Sequence, residues 1–358
     1  MSQNSIIEKT SGYVAAFEES LASSYAFNDT QKKIWDILTK AAFESESRIF
    51  TREPSLFHDG TPLGTSLCLT EAPFRIRALA EIGVCNSLLS EQIDDSLRTL
   101  IDIYETLNWR KSASSINWFC SNIFPEDPKK LENWWGGMWL GVVMGENSKT
   151  ELRLYFNLRS GNLQNRWEKI MKTLEPFGNF ADEAFRKASI DSTAVPAGLG
   201  IVFSDDELKG IRLYQGLEKT GSEQIAAFLQ KTAQTLDWEK EINEPLRKLE
   251  NLFGLSAPQS ITVSHDIKVT DSRLENRISR VKADINCTRY TNVNADLFED
   301  WILSALDSKG QKAIQNFAQL HAQQFGGASL DYFSLGAQKN GSHRTVYVKP
   351  SGLAYSCE

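Results

Sequence analysis

Leu152-Arg-Leu-Tyr-Phe-Asn-Leu158 alternates apolar and polar residues at every step. A strand sends successive side chains to opposite faces, so Arg153, Tyr155 and Asn157 share one face while Leu152, Leu154, Phe156 and Leu158 share the other. One such strand is ordinary, because edge strands often turn a basic and an aromatic residue toward water. The pattern recurs, however. Ile211-Arg-Leu-Tyr214 repeats the cation-x-Tyr spacing, Arg75-Ile-Arg77 puts two cations on one face, and Thr345-Val-Tyr-Val-Lys349 adds a tyrosine and a lysine. Several strands therefore carry one polar, basic, tyrosine-bearing face.

Around these strands the chain reads as about five strand-strand-helix units. Residues 10 to 50 have helical spacing (Tyr13, Phe17, Leu21, then Ile34, Ile37, Leu38, Phe43), within an N-terminal helical segment of about residues 1–55. The turn His58-Asp-Gly-Thr-Pro62 leads into a hairpin of Leu63–Leu69 with Phe74–Glu81. Helical spacing returns over 86 to 121, a loop is expected at Pro125–Lys130, and Trp135–Met144 forms a strand that pairs with the 152–158 stretch. A helix at 162 to 176, a hairpin of Ala197–Phe203 with the Arg212/Tyr214 strand, and a helix from Ser222 to Leu236 follow. A fourth hairpin, Gln259–Lys268 with Arg277–Cys287, is expected across a long turn. A helix at 296 to 324 and a hairpin of Ser329–Leu335 with Arg344–Lys349 complete the chain. Hairpin partners are antiparallel, and no Pro/Ser-rich linker separates the units, so a single α+β domain over residues 1–358 is predicted. If the apolar strand faces lie against amphipathic helices, the polar faces line an enclosed space. Ten antiparallel strands close into a barrel wide enough for a ligand.

Composition narrows the function. The 358 residues are 41% hydrophobic and 24% charged, ordinary for a globular chain able to bury a large core. A net charge of -7 argues against a general nucleic-acid or anionic-membrane binder, which needs a broad basic surface. Any cationic function is therefore local. Cys68, Cys85, Cys120, Cys287 and Cys357 are widely spaced with no CxxC pair, which predicts reduced thiols, no zinc site and a cytoplasmic protein. The N-terminus has acidic residues and no long apolar core, so neither a signal peptide nor a membrane span is expected.

The order and spacing of Asp59-Gly-Thr-Pro62, Arg77-Ala-Leu-Ala-Glu81, Arg153-Leu-Tyr-Phe-Asn157, Arg212-Leu-Tyr214, Tyr332-Phe-Ser-Leu335 and Thr345-Val-Tyr-Val-Lys-Pro350 resemble the bacterial branch of the dimethylallyltryptophan-synthase-type aromatic prenyltransferases. The likeness covers roughly residues 55 to 350. It implies the ABBA fold, five αββα units around a ten-stranded antiparallel barrel. It implies metal-independent transfer of a prenyl group, dimethylallyl first, from an allylic diphosphate to an indole, tryptophan or bulkier indole-containing acceptor, as in alkaloid and other secondary metabolism. Carried across by position, Arg77, Arg153 and Arg212, with Lys282 within reach, would hold the diphosphate, and Tyr155, Tyr214, Tyr332 and Tyr347 would shield the carbocation. No cofactor is implied. The expected partners are the two small molecules alone, with no nucleic acid or membrane, in a monomer or weak homodimer. The alternatives are a non-catalytic barrel that binds an anionic ligand or peptide, and a prenyltransferase acting on a phenol or peptide side chain.

The chain departs from the family pattern on the acceptor side. The family's indole-binding glutamate sits two residues after the Thr-Pro turn, where this chain has Gly64. Glu71 and Asp284 are the candidate replacements, and Trp139 stands on a strand from which it would reach the same pocket. Gly210 replaces a further cation of the pattern, and the adjacent Lys209 would point to the opposite face. Asp284 stands where an aromatic residue is expected.

Other chemistry is weakly represented. Asp94-Asp95 and Asp205-Asp206 lack the third aspartate of a DDxxD magnesium clamp. His58, His265, His321 and His343 show no HxxxH or HExxH spacing, and the glycine pairs after Trp135 and Phe325 make no phosphate loop.

Overall fold

A computed structural model describes residues 24–43, 63–69, 75–84, 88–131, 134, 136–145, 149–160, 162–178, 194–218, 260–286, 295–304, 306–325, 328–338 and 341–350, with isolated positions between 223 and 251. Its ten strands are β1 (Leu63–Cys68), β2 (Arg75–Glu81), β3 (Met138–Met144), β4 (Glu151–Asn157), β5 (Ala194–Ser204), β6 (Glu207–Glu218), β7 (Ser260–Thr270), β8 (Arg273–Asn286), β9 (Ala328–Gln338) and β10 (Gly341–Pro350). Every neighbouring pair is antiparallel, and β1 also pairs with β10, so the sheet closes into a barrel in chain order. Closure satisfies every strand edge within the sheet and leaves none for aggregation.

Helices fill the intervals between hairpins. The described ones are α1 (Asp29–Phe43), α2 (Leu89–Leu107), α3 (Ser112–Ile123), α4 (Leu163–Leu174), α5 (Ala295–Ser304) and α6 (Ser308–Phe325). Outward strand positions are apolar and buried beneath this layer: Ile76 and Ala78, Leu140 and Val142, Leu152, Leu154 and Phe156, Leu199, Ile201 and Phe203, Phe333, and Val346. Burying each larger side chain contributes about 1.5–3 kcal/mol, so the core of this protein lies between helices and barrel. Phe119 of α3 stacks on Phe156 of β4 at 6.4 Å and on Phe177 at 5.5 Å, and Trp301 of α5 meets Phe333 of β9 edge-on at 5.8 Å. The alternation that marked Leu152–Leu158 thus places Arg153, Tyr155 and Asn157 in the lumen.

Four local expectations need correction. The turn between β7 and β8 is short: Asp271 and Ser272, at φ +49° and +60°, connect Thr270 directly to Arg273. Positive φ at both central residues gives the strand-matching hairpin turn, and Asp205-Asp206 does the same between β5 and β6. The helical region at 296 to 324 is two helices: the first ends at Ser304, and Asp307 caps the second, its carboxylate accepting from the Gly310 N–H at 2.8 Å. The region 86 to 121 is likewise broken at Asn108, whose left-handed conformation (φ +56°) closes α2. Pro128–Leu131, expected as loop, forms a 3-10 turn. The expected helix at 10–23, the 58–62 turn, Glu71 and nearly all of the 222–236 helix lie outside the described residues.

The aspartate pairs take structural positions. Asp94 and Asp95 lie in α2. Asp206 caps a helix from a distance: its carboxylate accepts from the backbone N–H groups of Arg110, Lys111 and Ser112 at 2.7, 2.8 and 3.0 Å and from the Ser112 hydroxyl at 2.7 Å. This ties the β5–β6 turn to the N-terminus of α3. Among the described residues, no group of three or more His, Cys, Asp or Glu stands together as a metal site. No described helix is long and apolar enough to cross a membrane.

Candidate active site in the barrel lumen

Strand register builds the site row by row. One row runs from Tyr155 of β4 through Gly200, Arg212 and Asp266 to Arg280 of β8. The next runs from Gly198 through Tyr214, Ser264 and Lys282 to Gly336, with His343 of β10 beyond. A third joins Asn286 and Tyr332 to Tyr347, Ser66, Arg77 and Val143. The four cations and four tyrosines singled out in the sequence therefore all face the lumen. Arg77, Arg153, Arg212, Lys282, Tyr155 and Tyr347 are buried there, and Tyr214 and Tyr332 are half-buried.

Two clusters of side chains meet. Arg77 donates through Nη1 to the phenol oxygens of Tyr155 (3.2 Å) and Tyr347 (3.4 Å), and its guanidinium lies 5.4 Å from the Tyr347 ring centre. Lys282 approaches the same tyrosine, with Nζ 3.1 Å from its oxygen and 5.6 Å from its ring centre. Tyr332 meets Tyr347 edge-on at 6.0 Å, and Tyr155 and Tyr214 lie 6.1 Å apart. Burial opposes ionisation of both Tyr155 and Tyr347. The guanidiniums of Arg77, Arg153 and Arg212 nevertheless outweigh it at Tyr155, and Arg77 and Lys282 outweigh it at Tyr347, so both phenols titrate below their ordinary range. At Tyr214 burial prevails and the phenol is held neutral.

The second cluster was not anticipated. Asp266 of β7 sits between Arg212, which donates through Nε and through Nη2 (2.7 Å), and Arg280, which donates through Nε (2.7 Å) and Nη2. Burial opposes its charge, but the two guanidiniums hold its carboxyl well below the usual carboxylate range. Arg280 also donates to His343 Nδ1 at 3.2 Å. A guanidinium only donates, so Nδ1 accepts, Nε2 carries the proton, and Nε2 donates to Thr345 Oγ1 at 3.0 Å. Glu151 likewise bridges Arg75 and Arg153 at 2.7 Å each, and against the opposing effect of burial these cations bring it to about 2. Arg75, Arg77, Arg153, Arg212, Arg280 and Lys282 thus outnumber the lumen-facing carboxylates Glu81, Glu151, Asp266 and Asp284.

Several buried donors in this wall have no partner: Arg77 Nε, Arg153 Nε, Ser66 Oγ and Ser264 Oγ. Leaving such groups unpaired costs about 1–3 kcal/mol each, more for charged ones, and an anion in the lumen would remove that cost.

The acceptor-side residues occupy the same enclosure. Gly64 pairs with Leu79, and Trp139 shares the lumen face with its register partners Glu81 and Tyr155. Asp284 is held by Lys282 Nζ at 2.8 Å and by the Ser334 hydroxyl. Gly210 faces the lumen, whereas Lys209 lies on the outer face, paired with Glu207 at 2.5 Å, as its parity requires. Two glycines form a shelf beneath the tyrosines. A Cβ on Gly141 would lie 3.0 Å from Tyr155 Cε2, and one on Gly200 would lie 3.3 Å from both Tyr155 Cδ1 and Tyr214 Cε2. Their absence of side chain lets the two rings lie along the wall.

No family model matches the chain, and no curated protein matches it. Solved structures do. The chain is similar to 5-dimethylallyltryptophan synthase from Streptomyces coelicolor, with TM-score 0.72 and 14% identity over 96% of this chain and 98% of that one. It is similar to 6-dimethylallyltryptophan synthase from Micromonospora olivasterospora, solved with DMASPP and Trp, with TM-score 0.71 and 13% identity over 94% and 96% of the two chains. AnaPT from Neosartorya fischeri gives TM-score 0.72 and 10% identity over 96% and 94%. At these identities the likeness establishes the fold: the ten-stranded αββα barrel of these proteins.

Proposed function

We propose that the protein is an aromatic prenyltransferase that moves a prenyl group, dimethylallyl first, from an allylic diphosphate to an indole-containing acceptor without a metal ion. The observation that carries this reading is the convergence of Arg77, Arg153 and Lys282 with Tyr155 and Tyr347 on one buried lumen, with basic nitrogens left unpartnered. The shared fold with tryptophan prenyltransferases, one solved with DMASPP and Trp, supports it.

The chemistry follows from the wall. The bond between the allylic carbon and the bridging oxygen breaks, and both electrons leave with the diphosphate. Guanidinium and ammonium groups stabilise the departing oxygens by charge-assisted hydrogen bonds, supplying counter-charge where other enzymes place a divalent ion. The allylic cation faces tyrosine rings, each worth about 0.5–2 kcal/mol, and the enclosure keeps water away from it. A π pair of the acceptor ring then forms the new carbon–carbon bond, and the proton on that carbon leaves to restore aromaticity. Gly64 leaves room for an acceptor larger than free tryptophan, and we assign Gly64, Trp139 and Asp284 to its pocket. The test is incubation with dimethylallyl and geranyl diphosphates and a panel of indoles, tyrosine derivatives and short peptides in EDTA, read by mass spectrometry. Prenylated indole is expected; intact diphosphate bound without turnover would favour a binding barrel.

A further inference from the structure

The lumen's basic groups are not equivalent. Arg212 has every nitrogen engaged: Nε and Nη2 hold Asp266, and Nη1 donates to Tyr214 OH at 3.2 Å. Asp266 is gripped from its other side by Arg280. Turning Arg212 toward a phosphate would break a bidentate pair and strip a largely buried carboxylate of one of its two counter-ions. Arg77 and Arg153 stand differently: Arg153 holds Glu151 through Nη2 and Lys282 holds Asp284 at 2.8 Å, but Arg77 and Arg153 each keep a buried Nε without a partner, and the Ser66 and Ser264 hydroxyls are buried without partners as well. Register places Ser66 between Arg77 and Tyr347, and Ser264 between Tyr214 and Lys282. The two unpaired hydroxyls thus adjoin Arg77 and Lys282, the cations that approach Tyr347.

We infer that the diphosphate is held directly by Arg77, Arg153 and Lys282 together with the hydroxyls of Ser66 and Ser264, and that Arg212 is a positioning residue, locked to Asp266 and holding the Tyr214 phenol. This rests on the proposed prenyl transfer but makes a separate claim about anion binding. It reassigns Arg212, which its spacing places among the diphosphate ligands, and it adds two serines that no motif marks.

The experiment is calorimetric titration of the full chain with inorganic pyrophosphate, paired with prenyl-transfer kinetics. Arg77→Gln and Lys282→Gln each remove a charged donor and are expected to raise the pyrophosphate Kd about tenfold or more, while the double variant S66A/S264A raises it about fivefold. R212Q/D266N removes both members of the closed pair; its Kd is expected to stay within about threefold of wild type while kcat falls about tenfold, because Tyr214 loses its donor. Arg212→Lys keeps a cation beside Asp266 but loses the bond to Tyr214, so it is expected to show the same split should the double variant not fold. A rise in Kd for either Arg212 variant as large as that of Arg77→Gln would overturn the assignment, as would an unchanged Kd in S66A/S264A. Pyrophosphate binding with this pattern but no prenyl transfer would refute the reaction and leave the anion site standing. No pyrophosphate binding by the wild type would refute both.

Discussion

Gly200→Ala perturbs the site by one methyl group. Its Cβ would lie 3.3 Å from Tyr155 Cδ1, 3.3 Å from Tyr214 Cε2 and 3.4 Å from Arg212 Cβ, so two rings on neighbouring strands must each yield by a few tenths of an ångström. Neither can move outward, because the sheet lies behind it. Both move into the lumen. Overpacking of this kind costs about 1–3 kcal/mol, and replacing glycine within a strand returns about 0.5–1 kcal/mol, so a net destabilisation of about 1 kcal/mol is expected. The kinetic effect should be larger than so small a stability change implies. Each ring contributes about 0.5–2 kcal/mol to cation stabilisation, and losing half of that from both rings lowers kcat about twofold to thirtyfold. Guanidinium denaturation gives the first quantity and donor-saturated turnover the second. An alanine variant as stable as wild type with unchanged kcat would refute the shelf and the claim that it orients the shield.

Other perturbations separate ring from hydroxyl, and lumen from scaffold. Phe at Tyr155 or Tyr347 keeps the ring and should reduce turnover less than Leu, which removes the cation–π face; equal damage from both would make the hydroxyl the active part. His265 faces outward from β7, is buried with both ring nitrogens unpartnered, and is lowered by burial from 6.5 to about 4. A base whose folded pKa is depressed leaves stability intact above pH 6.5 and withdraws it as pH falls toward 4, by about 3 kcal/mol in all. His265→Leu should therefore flatten the acid limb of a stability-versus-pH curve, and an unaltered slope would contradict this. Asp206→Ala removes the remote cap of α3 and should cost about 1–2 kcal/mol in denaturant unfolding. Burial opposes its charge, but the combined hydrogen bonds from Arg110, Lys111 and Ser112 hold its carboxyl at about 2, so that contribution should persist above pH 3.8 and fade below it.

The period-2 alternation of Leu152–Leu158, repeated at Arg212, Arg75 and Tyr347, is enough to place Arg77, Arg153, Arg212, Tyr155, Tyr214 and Tyr347 on a common face, because burial of the opposite face under helices forces the register, whereas Lys282 and Tyr332 enter only through the family resemblance. Asp266 and Arg280 escaped for a related reason. Thr262, Ser264, Asp266 and Lys268 alternate with Ile261, Val263, His265 and Ile267 as cleanly as any strand in the chain, but Asp271-Ser272 carries no glycine, the usual mark of a tight turn. Reading that turn correctly sets Asp266 opposite Arg280. Asp307, directly before α6, is likewise an N-cap signal legible in the sequence. The shelf of Gly141 and Gly200 was not legible at all, since a glycine's meaning in a strand depends on which ring the neighbouring strand lays across it. The same holds for Asp206, whose partners lie some ninety residues away in sequence.

The most direct test of prenyl transfer driven by protein cations is a single-turnover experiment in EDTA, with enzyme in excess over dimethylallyl diphosphate and an indole acceptor present, quenched and assayed for both pyrophosphate and prenylated product. The wild type is expected to release pyrophosphate in step with product, and Arg77→Gln to lose both by about tenfold or more. Intact dimethylallyl diphosphate remaining on the wild-type protein, or turnover that appears only when a divalent metal is restored, would contradict it.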